Sequence, residues 1–127
     1  MKNSNDLHHN KKLGEEGEQQ AVEYLCAKGY RLLHRNWHYG HKELDIVCMK
    51  DNTIIVVEVK SRMGDYWEEP KEAVKRRKQK NIIEAADAYV NQYNYDLNVQ
   101  FDVVSIVFYL DQTFRLEHIP DAFFPIL

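Results

Sequence analysis

The run Ile54-Ile55-Val56-Val57 constrains the fold of this chain more than any other stretch. In an extended strand, alternate side chains point to opposite faces. Ile54 and Val56 therefore need cover on one face, and Ile55 and Val57 on the other. A strand of this kind lies inside a sheet with layers packed on both sides. A second apolar stretch, Glu43 to Met49, precedes it. Lys50-Asp51-Asn52 supplies turn chemistry between the two, so residues 43–49 and 53–61 are predicted to pair as an antiparallel hairpin.

The flanking segments supply the covering layers. From Gly14 to Lys28, Ala21, Tyr24, Leu25 and Lys28 recur at three- and four-residue steps, which predicts a helix, and Gly29 is its stop. Residues 1–12 are polar and are expected to be a flexible segment before a single domain spanning 13–127. Tyr30 to Trp37 is a first strand around Leu32 and Leu33. Residues 63–69 are loop-like. A second helix is expected from Pro70 or Arg76 to Tyr93, with Ile82, Ile83, Ala86, Tyr89, Val90 and Tyr93 facing inward. Val99–Leu110 and Thr113–Ile119 complete the strands around a turn at Asp111-Gln112. Helix, three strands, helix and two strands give an α/β class, a sheet flanked by helices.

A chain of 127 residues with 44% hydrophobic and 29% charged residues has room for one soluble core. No apolar run approaches the length needed to span a bilayer. The polar amino terminus lacks a signal segment, so a cytoplasmic protein without membrane attachment is expected. Cys26 and Cys48 fit that compartment as small buried hydrophobes rather than a disulfide.

Charges stand at the hairpin ends far from the turn. If Asp51 and Asn52 are the turn residues, Met49 faces Ile54, Val47 faces Val56 and Asp45 faces Glu58, all on one side of the sheet. Their Cβ atoms would lie about 5 Å apart, a destabilising position for two like charges. Glu43 would face Lys60 one step farther on. A one-residue slip would separate the acids onto opposite faces. Two close carboxylates at the end of a buried strand are a natural site for a hard divalent cation, Mg2+ or Mn2+. Such an ion would relieve their repulsion, activate a water and neutralise a phosphate. Lys60, an ammonium on the same face, would hold that phosphate as a point charge. The plainer alternative is a pair of surface acids with Glu43–Lys60 as an ordinary ion pair.

A net charge of −3 runs against a nucleic-acid binder. Locally, however, Lys71, Lys75, Arg76, Arg77, Lys78 and Lys80 stand against Glu72 alone, a stripe able to hold phosphates or simply a solvated helix face. Arg62 is placed to clamp a phosphate through its planar fork. The six histidines show no zinc spacing. His38 and His41 lie near the expected cleft as loop residues. Trp37, Tyr39, Tyr66 and Trp67 are candidates for base stacking, with packing as the ordinary use of each. Asp102, at a strand start, is read as structural.

Asp45 followed across a hairpin by Glu58-Val59-Lys60 resembles the PD-(D/E)xK motif of restriction-endonuclease-like nucleases. More closely, the chain resembles the YraN-like uncharacterised protein family, itself similar to archaeal Holliday junction resolvases. The matching words include Gly14-Glu-Glu-Gly17-Glu18, Lys28-Gly29-Tyr30, Arg35-Asn36-Trp37, Glu43-Leu44-Asp45-Ile46, Val57-Glu58-Val59-Lys60-Ser61-Arg62, Arg77-Lys78-Gln79 and Phe101-Asp102-Val103-Val104. The resemblance implies a mixed sheet in a restriction-endonuclease-like fold, Mg2+ or Mn2+, and a two-fold homodimer. It implies that Glu18 assists the metal, a role the residues alone do not distinguish from Glu15 or Glu16. It makes Arg77, Lys78 and Gln79 contacts to nucleic acid, DNA before RNA. Two departures stand out: Leu44 replaces the motif's Pro, and Lys42 replaces a usual Gly, which would alter access beside the site. The expected function is metal-dependent cleavage of DNA phosphodiester bonds, with branched or structured DNA among the candidate substrates. The rivals are a binding module that retains the fold without cutting, and a structural partner that binds metal for stability.

Overall fold

The structure is a computed structural model and describes residues 4–64 and 74–125, with side chains from residue 11 onward. The element order is α1 (Ser4–Ala27), β1 (Arg31–Tyr39), β2 (Lys42–Lys50), β3 (Thr53–Met63), α2 (Arg76–Gln92), β4 (Asn98–Phe108) and β5 (Phe114–Phe123). The five strands form one sheet in sequence order. Only β3 and β4 run parallel, from Thr53↔Asn98 to Met63↔Phe108, and the other neighbours are antiparallel. A parallel pair needs a crossover, and α2 lies within this one. The result is an α/β fold with a mixed sheet flanked by helices, compatible with a restriction-endonuclease-like fold.

The two faces of β3 are covered as its sequence requires. Ile54 and Val56 join Ile82, Ala85, Ala86 and Tyr89 of α2 in one core. Ile55 and Val57 join Ala21, Val22 and Leu25 of α1 in the other. Complete burial of Leu25 or Ile82 contributes roughly 1.5–3 kcal/mol each. The hairpin turn is the expected two-residue one. Asp51 and Asn52 both take left-handed backbone, at φ 50° and 61°, and Lys50 pairs with Thr53. That twist matches the flanking strands.

Several boundaries differ from expectation. Helix α1 begins at Ser4, ten residues before Gly14, because no breaker stands between them and the polar segment simply continues the helix. Strand β5 runs on to Phe123, whose ring stacks on Phe101 of β4 at 5.2 Å. Pro70, Tyr66 and Trp67 lie outside the described residues. Both cysteines are free thiols, but Cys26 is exposed rather than buried. It falls on the solvent side of α1, whereas Cys48 points under that helix. Burial, reinforced by Asp102, pushes the Cys48 thiol up to about 12. No helix among the described residues is long and apolar enough to cross a membrane.

Candidate active site

The hairpin ladder runs from Lys50↔Thr53 to Ile46↔Val57 and stops there. Asp45–Glu58 and Glu43–Lys60 are therefore not the simple ladder pairs that strand alternation predicts. The alternation slips at Asp45. Leu44 packs in the α2-side core and Ile46 in the α1-side core, although residues two apart on a regular strand share a face. On β1, Asn36 takes a left-handed φ of 51°. His34 and Trp37, three residues apart, both set their rings edge-on to Tyr89 of α2. Both strands thus turn their side chains over at one level while their mutual pairing stays in register, Arg35↔Ile46 and Trp37↔Leu44; the register shift of β1 lies earlier, between Leu32 and His34.

The slip turns the Asp45 carboxylate into the gap where the ladder ends. Its Oδ2 accepts a hydrogen bond from the Val59 N–H at 2.9 Å. Glu58 keeps the regular alternation and points to the α2 side, where it is only 8% exposed. The two acids still border one cleft, near enough for the charge of Asp45 to act on Glu58. Burial first, and then the charge of Asp45, push Glu58 up to about 8. Lys78 of α2 pulls the other way, with Nζ 3.4 Å from Glu58 Oε1. Glu58 and Asp45 in turn raise the Lys78 ammonium. The two tendencies conflict, since Lys78 gains from an ionised Glu58 while burial keeps the proton on it. Burial prevails, because the Lys78 side chain is 53% exposed and water screens it.

Glu18 enters from the opposite face. A Cβ at Gly17 would fall 1.7 Å from the Ser61 hydroxyl and 2.9 Å from its Cβ, so glycine is what lets α1 lie directly on β3. Glu18, one residue later, is thereby held against the sheet with its side chain 14% exposed, 3.7 Å from Arg35 Nε. Burial and Asp45 raise its carboxyl, while Arg35 and a bond to Asn36 lower it. Glu18, Asp45, Glu58, Lys60 and Lys78 all border one open cleft of about 910 Å³. Acids from α1, β2 and β3 thus collect where β2 and β3 part.

The donor set suits a divalent cation. Asp45 and buried Glu58 border the same cleft, and Glu18 Oε1 is buried without a hydrogen-bond donor. Three such oxygen donors are what a hard cation takes, and they are costly to keep unpaired. Among the described residues, no three His, Cys, Asp or Glu side chains yet converge on one point. Asp45 accepts from the Val59 N–H, Glu58 faces Lys78, and Glu18 stands beside Arg35.

The remaining candidates scatter. Of the four expected nucleic-acid contacts, Lys78 alone borders the cleft. Arg77 is exposed on α2, and Arg62 is half-buried near the end of β3. The Gln79 amide donates to the Val74 carbonyl at 2.9 Å and borders a different groove, beside Phe124 and Pro125. Lys42, expected to alter access, instead bonds Glu84 of α2 and leaves the cleft open. His38 borders the cleft, 3.6 Å from Glu43, so Glu43 pairs with β1 rather than with Lys60. Trp37 packs in the core, as the ordinary reading of an aromatic has it. Asp102 is fully buried and structural. It accepts bonds from Gln100 at 2.9 Å and the Asp121 N–H at 3.1 Å, and pairs with His118 at 2.7 Å.

Residues 17–106 match the model of the uncharacterised protein family UPF0102. This chain belongs to that family. UPF0102 proteins of Parabacteroides distasonis and Phocaeicola vulgatus are each 46% identical to it, over 112 and 113 residues, covering 88% of this chain and 92% of each relative. One from Flavobacterium johnsoniae is 40% identical over 116 residues, covering 88% of this chain and 94% of its own. The UPF0102 match begins at Gly17 and extends past Lys78, so it takes in every acid and lysine that borders the cleft from Glu18 onward. Sequence reasoning passed over Arg35, Asn36 and the Lys78–Glu58 contact within this UPF0102 chain. The only signal for the first two was the word Arg35-Asn36-Trp37, and for the third the charge run on α2.

Proposed function

We propose that this protein is a divalent-metal-dependent nuclease that cleaves DNA phosphodiester bonds, with branched or otherwise structured DNA among its candidate substrates. The observation that carries this reading is the gathering of Glu18, Asp45 and buried Glu58 around one open cleft that Lys60 and Lys78 also border. Asp45 and Glu58 would hold Mg2+ or Mn2+, and Glu18 would complete the set from α1. The bound ion supplies an activated water and neutralises charge on the phosphate. Asp45 is aimed by its bond from the Val59 N–H, which spares the site part of the cost of ordering. Lys60 adds an ammonium at the cleft wall to steady the charge that builds on the phosphate. Two free thiols support a cytoplasmic setting.

A second reading is a nucleic-acid-binding module that kept the fold without the cutting. The lack of three converged ligands among the described residues favours it. One experiment separates the two. Purified protein is incubated with branched, duplex and single-stranded DNA, with and without Mg2+ or Mn2+. The nuclease reading expects metal-dependent cleavage that Asp45→Asn and Glu58→Gln abolish. Cleavage that persists in both variants would come from a contaminant and would refute it; retained DNA binding without cleavage supports the module.

A further inference from the structure

Helix α2 opens with Arg76-Arg77-Lys78-Gln79-Lys80, without an acid in its first turn and without a side-chain cap at Lys75. Cations at this end oppose the helix dipole, so the local sequence is unfavourable as it stands. For Lys78 the compensation is visible, since its ammonium reaches the buried carboxyl of Glu58 at 3.4 Å. That carboxyl is also an oxygen that a divalent cation would take. An ammonium and a metal ion crowding one carboxyl oxygen repel each other, and the more highly charged ion wins.

We propose that Lys78 is an exchangeable partner of Glu58: its ammonium occupies the carboxyl oxygen until a divalent cation binds there, and is then released to a phosphate of the incoming nucleic acid. This rests on the metal-dependent reading above and extends it to the order in which the site is assembled. Lysine suits the part. Its ammonium is a strongly hydrated point charge on a flexible stem, whereas an arginine would lock onto the carboxylate through two bonds. The side chain is 53% exposed, so leaving Glu58 restores water around the ammonium at little cost. Exchange also delivers a free cation to the mouth of the cleft. Metal and nucleic acid are then linked through one side chain, and the linkage must be reciprocal. Lys42 provides an internal control. It is paired in the same manner to Glu84, but on the wall of a different groove.

The test uses the full chain with Ca2+ as probe ion. Lysines are trace-labelled with acetic anhydride and read by mass spectrometry. Lys78 labelling should rise roughly fivefold on Ca2+ addition, with Lys42 unchanged. In parallel, binding of labelled branched DNA is measured for the wild type and Lys78→Gln. The substitution should weaken binding roughly tenfold with Ca2+ and less than about twofold without it. Calorimetry of Ca2+ binding, with Asp45→Asn as control, separates the two levels of failure. Ca2+ heat that depends on Asp45, together with unchanged Lys78 labelling or an equal DNA penalty in both conditions, overturns the exchange and leaves the metal reading standing. No Ca2+ heat in the wild type overturns the metal reading and the exchange with it.

Discussion

Glu58 gives the cleft a measurable signature in the absence of metal. Its carboxyl moves from an ordinary 4.5 to about 8 on folding. Below about pH 4.5 the group is protonated in both the folded and the unfolded chain, and its burial carries no ionic cost. As pH rises toward 8 the unfolded chain ionises first, so the folded state loses stability across that window. At about 1.4 kcal/mol per pH unit the ceiling on this loss is roughly 5 kcal/mol. The cleft is open on one side, and water entering it lowers the effective penalty to about 2–4 kcal/mol. Glu58→Gln keeps the shape and removes the ionisation. In EDTA, urea melts of the wild type and the variant should nearly coincide at about pH 5, and at about pH 8.5 the variant should be more stable by that amount. Saturating Mn2+ should close the gap by stabilising the wild type alone, because a ligand that binds only the folded state adds to its stability. Parallel pH profiles for the two proteins would refute the burial argument. A variant less stable at every pH would mean that the carboxyl is a structural donor.

Two further substitutions probe how the site is held. Asp45→Asn retains an acceptor for the Val59 N–H, so in metal-free buffer it should leave stability unchanged or slightly raised; Asp45→Ala orphans that donor and should cost about 1–3 kcal/mol, measured by urea melts. Gly17→Ala should cost about 1–3 kcal/mol through overpacking against Ser61 and should weaken Mn2+ binding in calorimetry, because α1 carries Glu18 away from the sheet; an unchanged Mn2+ affinity would exclude Glu18 from the site. Away from the cleft, His118→Ala removes a partner from fully buried Asp102 and should cost about 2–3 kcal/mol in the same melts with Mn2+ affinity intact.

The fold was legible because its strongest signals are local. Ile54–Val57 demands two covering layers whatever its partners are, and Asp51-Asn52 fixes the hairpin register through backbone that few residue types tolerate. The site was legible only in outline. Strand alternation brings Asp45 to Glu58 if the hairpin stays regular. The structure brings them together through an irregularity, which leaves no periodic trace. The slip depends on Asn36 of β1 as much as on β2, and sequence spacing contains no rule for an irregularity shared between neighbouring strands. Lys78 was visible as charge but not as a partner of Glu58, since that contact depends on where α2 docks. The same holds for Gly17, whose role appears only once Ser61 lies beneath it.

These irregularities share a direction. A slipped strand, a glycine spent inside a helix, a carboxyl buried beside another and a basic run at the wrong end of a helix each cost stability alone. Each has a member at the one cleft where β2 and β3 part: Asp45 on the slipped strand, Glu18 beside Gly17, buried Glu58, and Lys78 of the basic run. Away from the cleft, Asp102 has three partners and Lys42 has Glu84. Buried Asp102 is fully partnered, whereas Glu18 and Glu58 are held near other acids at the cleft, an arrangement suited to a ligand that completes the set. A divalent cation does so from one side, as counter-charge to Asp45 and Glu58. A phosphate does so from the other, as counter-charge to Lys60 and Lys78. Neither alone balances the cleft, which is the physical reason to expect metal and nucleic acid to bind this protein cooperatively.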